Sequence, residues 1–509
     1  MRTRFGRIFG LALPLLCLPL ICSGQDLASF EKRITVKKLA NGLTVIVCER
    51  PVAPVFSFFT HVDAGSAQEE VGQTGLAHMF EHMAFKGTEA VGTTDYAAEK
   101  VALEKVEKAF ADYEAARRKT IGRDEKEVAE KERVLKAAIA EADKYVVKNA
   151  FGEIVEREGG VGMNAFTAQD QTGYFFSMPS NRLELWAYLE SDRFIHPVFR
   201  DFYKERDVVF EERRMRTDSN PVGRLIEQFL AVAFSAHPYG RPGVGWPSDL
   251  KAYSATDAAK FFKRYYIPSN LVVAVVGDVK ASEVMPIMEK YFGRIPKAPD
   301  PEPLRVDEPK QIAEKEVVLH DPSQPFYIEG YHRPDARDKD DVVYDVIGDL
   351  MTSGRTSRLY RSLVRDKKIA ANSAGFSGFP GNKYPNLFVF FAVPTPGKTT
   401  AEVRDAIRAE IERLKTEDVS DAELAMVKTR AKADLIRQLN NNQGLALQLG
   451  TTQALYGDWR ELFRQVDRIE KVTKADIHRV ANATFVANNR TVARIETRES
   501  EPARQEKKS

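Results

Sequence analysis

The elements read before a Pro-, Asp- and Glu-rich stretch at 298–310 recur after it, and this recurrence limits the fold more than any other feature of the 509-residue chain. Before the stretch, "ITVKKLANGLTVIVCER" reads as two strands joined at an Asn-Gly turn, and "VFSFFTHVDAGS" as a third. "QTGLAHMFEHMAFKG" reads as a helix with Thr74 as N-cap and Gly87 as its stop. "GMNAFTAQDQTGYFFSMP" reads as a strand, amphipathic helices follow at Arg182–Ile195 and Tyr203–Arg216, and "NLVVAVVGDV" is a fully apolar closing strand. After the stretch come strands at "EKEVVLHD" and "PFYIEGYH", a helix near Asp341–Met351 and a strand at "NLFVFFAVP". Helices at Thr400–Leu414 and Ala422–Asn440 and a last strand, "RTVARIET", complete the second set. The expectation is an α+β chain of two related domains, 25–297 and 311–498, joined by a linker at 298–310 and followed by a disordered, solvated tail at 499–509.

The chain is too long for one ordinary core. Its hydrophobic content of 43% and charged content of 29% are those of a globular protein, and a net charge of +2 with no concentrated basic motif argues against a nucleic-acid partner. Arg2, Arg4 and Arg7 precede the apolar run "FGLALPLLCLPLICSG", which Pro14 and Pro19 interrupt. That pattern reads as a signal peptide over 1–24, not a stable membrane span, and implies a periplasmic or secreted protein. A lipoprotein anchor at Cys22 is disfavoured, because Leu20 and Ile21 lack the small residue such a site wants. Loss of the leader leaves Cys48 as the sole cysteine, in a strand-like run, so no internal disulfide forms.

Tyr96 to about Glu156 is highly charged and helical. Leu103, Val106, Phe110 and Tyr113 make one apolar stripe, Val128, Leu135, Ala142 and Val146 another, and "TIGRDEKE" separates them. This reads as an antiparallel helical hairpin inserted in the first domain.

The chemistry concentrates in His78-Met79-Phe80-Glu81-His82. Histidines four apart share one helix face and can reach one metal ion, and Glu81 lies beside them, near any water the ion holds. A catalytic zinc site takes a third protein ligand. In "KERDVVFEERRM", Glu212 falls about 20° from Glu205 around a helix, flanked by Val208 and Val209, while Glu211 falls about 120° away toward Arg214. Glu205 and Glu212 are therefore both candidates, and Glu211 is a surface residue.

"GLAHMFEHMAFKGT", "NAFTAQDQTGYFF", "ERDVVFEE" and "HPYGRPGVGW" occur in this order. On them the chain resembles the pitrilysin/insulysin family of inverzincin zinc peptidases, which includes the mitochondrial processing peptidase, as a half-length member. The resemblance implies two homologous domains, each a mainly antiparallel sheet with helices packed on it, only the first binding metal. It implies one zinc ion per chain held by His78, His82 and Glu212, with Glu81 as the base and Glu205 orienting a ligand. His82 and Glu212 stand 130 positions apart, against roughly 75 to 80 in the family pattern, and the excess falls where the hairpin lies. The resemblance further makes Asn164-Ala165-Phe166-Thr167 an edge strand that takes substrate by strand addition, although Phe166 reads equally well as a core residue. Arg365, in "SRLYRSLVRDKKIAANSAG", matches a substrate-binding arginine, and Asn372 stands where the family often has tyrosine. His320, His332 and His478 read as structural.

The function expected is an exported zinc endopeptidase acting on peptides or unfolded polypeptide segments, as a homodimer or a heterodimer with a related half-length chain. The competing expectations are a noncatalytic polypeptide-binding partner subunit and a metal-storage protein.

Overall fold

A computed structural model of the chain describes residues 27–498. The leader read at 1–24 and the tail at 499–509 lie outside the described residues. Strands β1 (Ile34–Lys38), β2 (Thr44–Glu49), β3 (Val55–Val62), β4 (Val161–Thr167), β5 (Thr172–Pro179) and β6 (Leu271–Gly277) form one sheet in the order β1-β2-β6-β3-β5-β4. Strands β7 (Lys315–Asp321), β8 (Phe326–Arg333), β9 (Ala370–Phe379), β10 (Asn386–Pro394) and β11 (Arg490–Thr497) form a second, β7-β11-β8-β10-β9. Laid on each other, β2-β6-β3-β5-β4 and β7-β11-β8-β10-β9 share their order and their single parallel pair, β2 with β6 and β7 with β11. The recurrence in the sequence is therefore a recurrence of topology, with β1 as an extra edge.

The stretch read as one strand from Gly162 to Pro179 is a hairpin, β4 and β5. It turns at residues 168–171, where the Ala168 N–H donates to the Gln171 carbonyl at 2.8 Å. This turn contains no Gly or Pro, and Asp170 is its one turn-favouring residue, so the local signal is weak. Tertiary bonds hold it instead: the Asp170 carboxylate accepts the Tyr239 hydroxyl at 2.6 Å and the N–H groups of Asn382 and Lys383 at 3.0 and 3.1 Å.

Helices α1 (Leu76–Met83), α2 (Tyr96–Arg117), α3 (Glu125–Ala142), α4 (Phe202–Arg213), α5 (Pro221–Ala233) and α6 (Asn442–Tyr456) bear on the site and on the joining of the two halves. Helices α2 and α3 pair as the hairpin, N-capped by Asp95 and Asp124, and bury Val106, Phe110, Val128 and Leu135. The second half also holds helices at Glu461–Lys471 and Lys474–Thr484. These and α6 have no counterpart in the sequence reading.

Both sheets are covered on both faces. One face of the first sheet (Val45, Val47, Phe58, Val273, Val275) packs on helices of its own half. Its other face (Ile46, Cys48, Phe59, Ala274) packs on Leu445, Ala446 and Leu449 of α6, from the second half. The reciprocal holds: Leu225 and Phe229 of α5 cover Ile328, Leu387, Val389 and Ala493 of the second sheet. Two-sided burial is why "NLVVAVVGDV" lacks polar alternation. The linker is tied down as well, for Glu308 accepts the N–H groups of Ser235, Ala236 and His237 at 2.6–2.9 Å.

Candidate metal centre

Helix α1 begins one residue later than read. Its N-cap is Gly75, and the capping is done by Glu69, whose carboxylate accepts the N–H groups of Gly75 and Ala77 at 2.8 Å each. Thr74 instead bonds to Asp249 at 2.7 Å and accepts the Trp246 N–H at 2.8 Å. The helix ends at Met83, short of Gly87. It lies against β4 and α4.

This packing brings His78, His82 and Glu212 together, with their ligand atoms within 4.8 Å of one another. His82 Nε2 lies 3.2 Å from Glu212 Oε2, and His78 Nε2 lies 3.6 Å from Glu212 Oε1. Tetrahedral zinc, with bonds of about 2.0–2.1 Å, sets its donor atoms about 3.3–3.5 Å apart, and the two histidine–Glu212 separations lie on either side of that spacing. Two imidazoles and a carboxylate are also the donor types zinc prefers. No other trio of this kind occurs among the described residues.

The choice left open on the helix face is resolved by where α1 sits. Glu212 faces Nε2 of both histidines, whereas Glu205 lies 3.6 Å from His82 Nδ1 and takes Lys86 Nζ at 2.5 Å on its other oxygen. Glu211 is exposed and pairs with Arg214 at 2.7 Å. Burial holds the His78 imidazole down to about 4, so it is neutral with a free lone pair. For His82, burial pulls downward, but the Glu205 contact and the surrounding carboxylates outweigh it and the net direction is up. Burial raises Glu81, against bonds donated by the side chain and backbone of Thr167. Glu205 is lowered, because its bonds to His82 and Lys86 outweigh burial. Glu81 Oε2 stands 4.0 Å from His78 Nε2.

Strand β4 is the sheet edge nearest α1. Its pairs with β5 run Asn164–Phe175, Ala165–Tyr174, Phe166–Gly173 and Thr167–Thr172. Since Ala168 bonds across the turn, alternation directs the main-chain groups of Phe166 and Asn164 toward β5 and those of Ala165 and Thr167 to the open edge. The Asn164 side chain accepts the Ala165 N–H at 2.9 Å. Phe166 is half-buried against Phe59 and Phe175, on the face α6 covers, so its ring belongs to the core.

Arg365 is not assembled with the trio. It is exposed, pairs with Asp366 at 2.6 and 3.0 Å, and lines a separate cavity with Arg358, Arg361 and Arg413. Asn372 is exposed on the edge strand β9. His332 and His478 bond to the carbonyls of Ala233 and Glu417, and His320 is exposed. Cys48 is buried in β2, where burial pushes its thiol up to about 11. Two contacts escaped the sequence reading: Lys86, whose spacing of four from His82 was a usable signal, and Glu69, for which no local signal exists.

Two topologically matched α+β halves, the first alone among the described residues holding a His-His-Glu trio, are the architecture of a half-length chain in a duplicated zinc-protease class. The chain belongs to peptidase family M16: the description "Insulinase (Peptidase family M16)" matches residues 44–116 and 135–245, and "Peptidase M16 inactive domain" matches residues 252–431. The unmatched residues 117–134 are the tip of the α2–α3 hairpin and part of α3. The zinc protease PqqE of Helicobacter pylori is 29% identical over 430 residues, covering 83% of each chain. A crystal structure of a protease from Helicobacter pylori superposes with a TM-score of 0.75 at 26% identity, over 91% of this chain and 99% of that one. The periplasmic protease PqqL of Escherichia coli shares the fold, with a TM-score of 0.67 at 17% identity, over 92% of this chain and 48% of that one. No helix among the described residues is long and apolar enough to cross a membrane.

Proposed function

We propose that this chain is an exported zinc endopeptidase that hydrolyses peptides or unfolded polypeptide segments. The observation that carries the proposal is the convergence of His78, His82 and Glu212 on one point with Glu81 beside them. His78, His82 and Glu212 would hold one zinc ion, which supplies Lewis acidity toward water and toward a scissile carbonyl. Glu81 accepts the proton of the attacking water and delivers it to the leaving amine. Its raised affinity for a proton suits it to both tasks. The Glu205 carboxylate, 3.6 Å from His82 Nδ1, would orient the ring from that side and leave Nε2 for the metal. An extended substrate adds to the open edge of β4 through the main chain of Ala165, a mode that favours unfolded segments.

The match to the inactive domain falls on residues 252–431 and contains none of the three donors. It takes in the end of the first half, including β6, and most of the second, and leaves out the helices that carry the trio. Export is supported by the basic-apolar leader pattern of the sequence and by the periplasmic location of PqqL. A second copy, or a related half-length chain, would supply the other half, since this chain spans about half of PqqL. The test is hydrolysis of an unstructured peptide by purified protein of measured zinc content. Glu81→Gln should keep the zinc and lose at least about 10²-fold in kcat. Zinc-loaded wild type that cleaves nothing, alone or mixed with a related half-length chain, would favour a noncatalytic partner subunit.

A further inference from the structure

Arg200 touches none of the trio, yet all five of its guanidinium N–H groups are engaged and the side chain is only 1% exposed. Its Nε and Nη2 donate to the two Glu99 oxygens at 2.8 and 3.0 Å, and Nη2 also donates to the Thr88 carbonyl at 2.7 Å. Its Nη1 donates to the carbonyls of Lys86 and Val91 at 2.8 Å each. Three of these partners are in the loop that leaves α1, Glu99 is on α2, and Arg200 stands two residues before α4. One guanidinium thus ties the exit of the His78–His82 helix to the hairpin and to the start of the helix carrying Glu205 and Glu212.

The loop is cut to fit this side chain. Gly87 and Gly92 have φ of +95° and +92°, and a Cβ on either would lie 2.8 Å from Arg200 Nη1. Lys86 is held by its carbonyl while its Nζ reaches Glu205 at 2.5 Å, and the other Glu205 oxygen lies 3.6 Å from His82 Nδ1. A second carboxylate of α2, Glu107, accepts the Tyr203 hydroxyl at 2.6 Å and the Thr256 N–H at 3.0 Å, so α2 grips the first turn of α4 as well.

We propose that Arg200 and Glu99 are a positioning pair for the metal centre: they fix Lys86, Lys86 fixes Glu205, and Glu205 orients the His82 ring. On this account the hairpin braces the site. The proposal rests on the zinc-peptidase reading above. Lysine at position 200 would keep the charge but offers three donors and no planar fork, so it cannot hold the loop and Glu99 together.

The test uses the full mature chain and compares wild type, Arg200→Lys, Glu99→Gln, Lys86→Met and the Arg200→Lys/Lys86→Met pair. Zinc retention against a chelator, kcat and KM on an unstructured peptide, and the ¹⁵N resonances of the His82 ring in metal-free protein are measured. Arg200→Lys should unfold cooperatively, lose about 10-fold or more in zinc affinity and in kcat with little change in KM, and shift the His82 ring resonances. The paired variant should lose no more than the worse single one, because both act through Glu205. Additive losses, or unchanged His82 resonances in Arg200→Lys, would overturn the proposal. If Arg200→Lys does not fold, Glu99→Gln carries the same expectations. If wild type binds no zinc, the zinc-peptidase reading fails, and the His82 resonances still decide whether Arg200 sets that ring.

Discussion

Glu205 and Glu212 face opposite nitrogens of one imidazole: Glu205 lies 3.6 Å from His82 Nδ1 and Glu212 lies 3.2 Å from Nε2. A carboxylate on Nδ1 fixes the tautomer and makes the other nitrogen a better donor. Glu205→Gln keeps the shape but gives up the charge and the pairing with Lys86. It should weaken zinc binding about 10- to 100-fold, read by competition with a chelator. Glu211→Gln, on the exposed side of the same helix, should leave zinc affinity unchanged. Equal losses in both variants would mean that general acidity near α4, not this contact, holds the metal.

The halves should unfold together. Phe229 of α5 is fully buried against the second sheet although it belongs to the first half. Phe229→Ala should cost about 3–5 kcal/mol, seen as a lower denaturation midpoint of a single transition. Because α6 in turn covers the first sheet, a fragment ending at the linker would expose Ile46, Phe59 and Ala274. Expressed alone, that fragment should aggregate or unfold at a lower temperature than the whole chain. Two resolved transitions in the intact protein would contradict this.

What could be read from the sequence follows the range of the forces involved. The separation of Glu205 and Glu212 from Glu211 is helix geometry within eight residues, so it was legible and agrees with their burial. Which of the two faces the histidines depends on how α1 lies on α4, a contact spanning 130 positions. The recurrence of strands and helices was legible because most strands carry their own apolar pattern; the edge strand β9, built mostly of small and polar residues and half-exposed, was not. Helix α6 was not, because it sits between a sheet and other helices and has no clean polar face. The start of α1 was misplaced because a threonine before a helix usually caps it, and here Glu69 and Asp249 supply the acceptors instead. The turn at 168–171 was missed because Asp170 is anchored by residues more than sixty positions away.

Thr167 should tune the base. Its hydroxyl and N–H face the Glu81 carboxylate and lower its proton affinity, the hydroxyl also reaching the Ala77 carbonyl at 3.4 Å, and donors that face the ionised form lower a carboxyl pKa. Thr167→Val removes the hydroxyl and leaves the backbone N–H. The proton affinity of Glu81 should then rise further. Since the base works only when ionised, the acid limb of kcat/KM should move to higher pH. The pH–rate profiles of wild type and variant check this. An acid limb that stays in place would separate Thr167 from the base.

Buried His237 should make stability depend on pH away from the metal. Its Nδ1 accepts the Tyr239 N–H at 3.2 Å, its Nε2 has no hydrogen-bond partner, and burial holds it down to about 4 despite the nearby Glu308 carboxylate. In the unfolded chain an imidazole titrates at about 6.5. Between these values the unfolded state binds more protons than the folded one, so stability rises with pH across the window. The contribution is fully present above about pH 6.5 and is lost as pH falls toward 4, on the order of 3 kcal/mol in all. His237→Gln removes the titrating ring. The difference in unfolding free energy between wild type and variant, followed from pH 7 to pH 4, isolates this group from His78 and the metal ligands. Wild type should lose stability faster than the variant across that range, and parallel curves would show that His237 does not titrate in the fold.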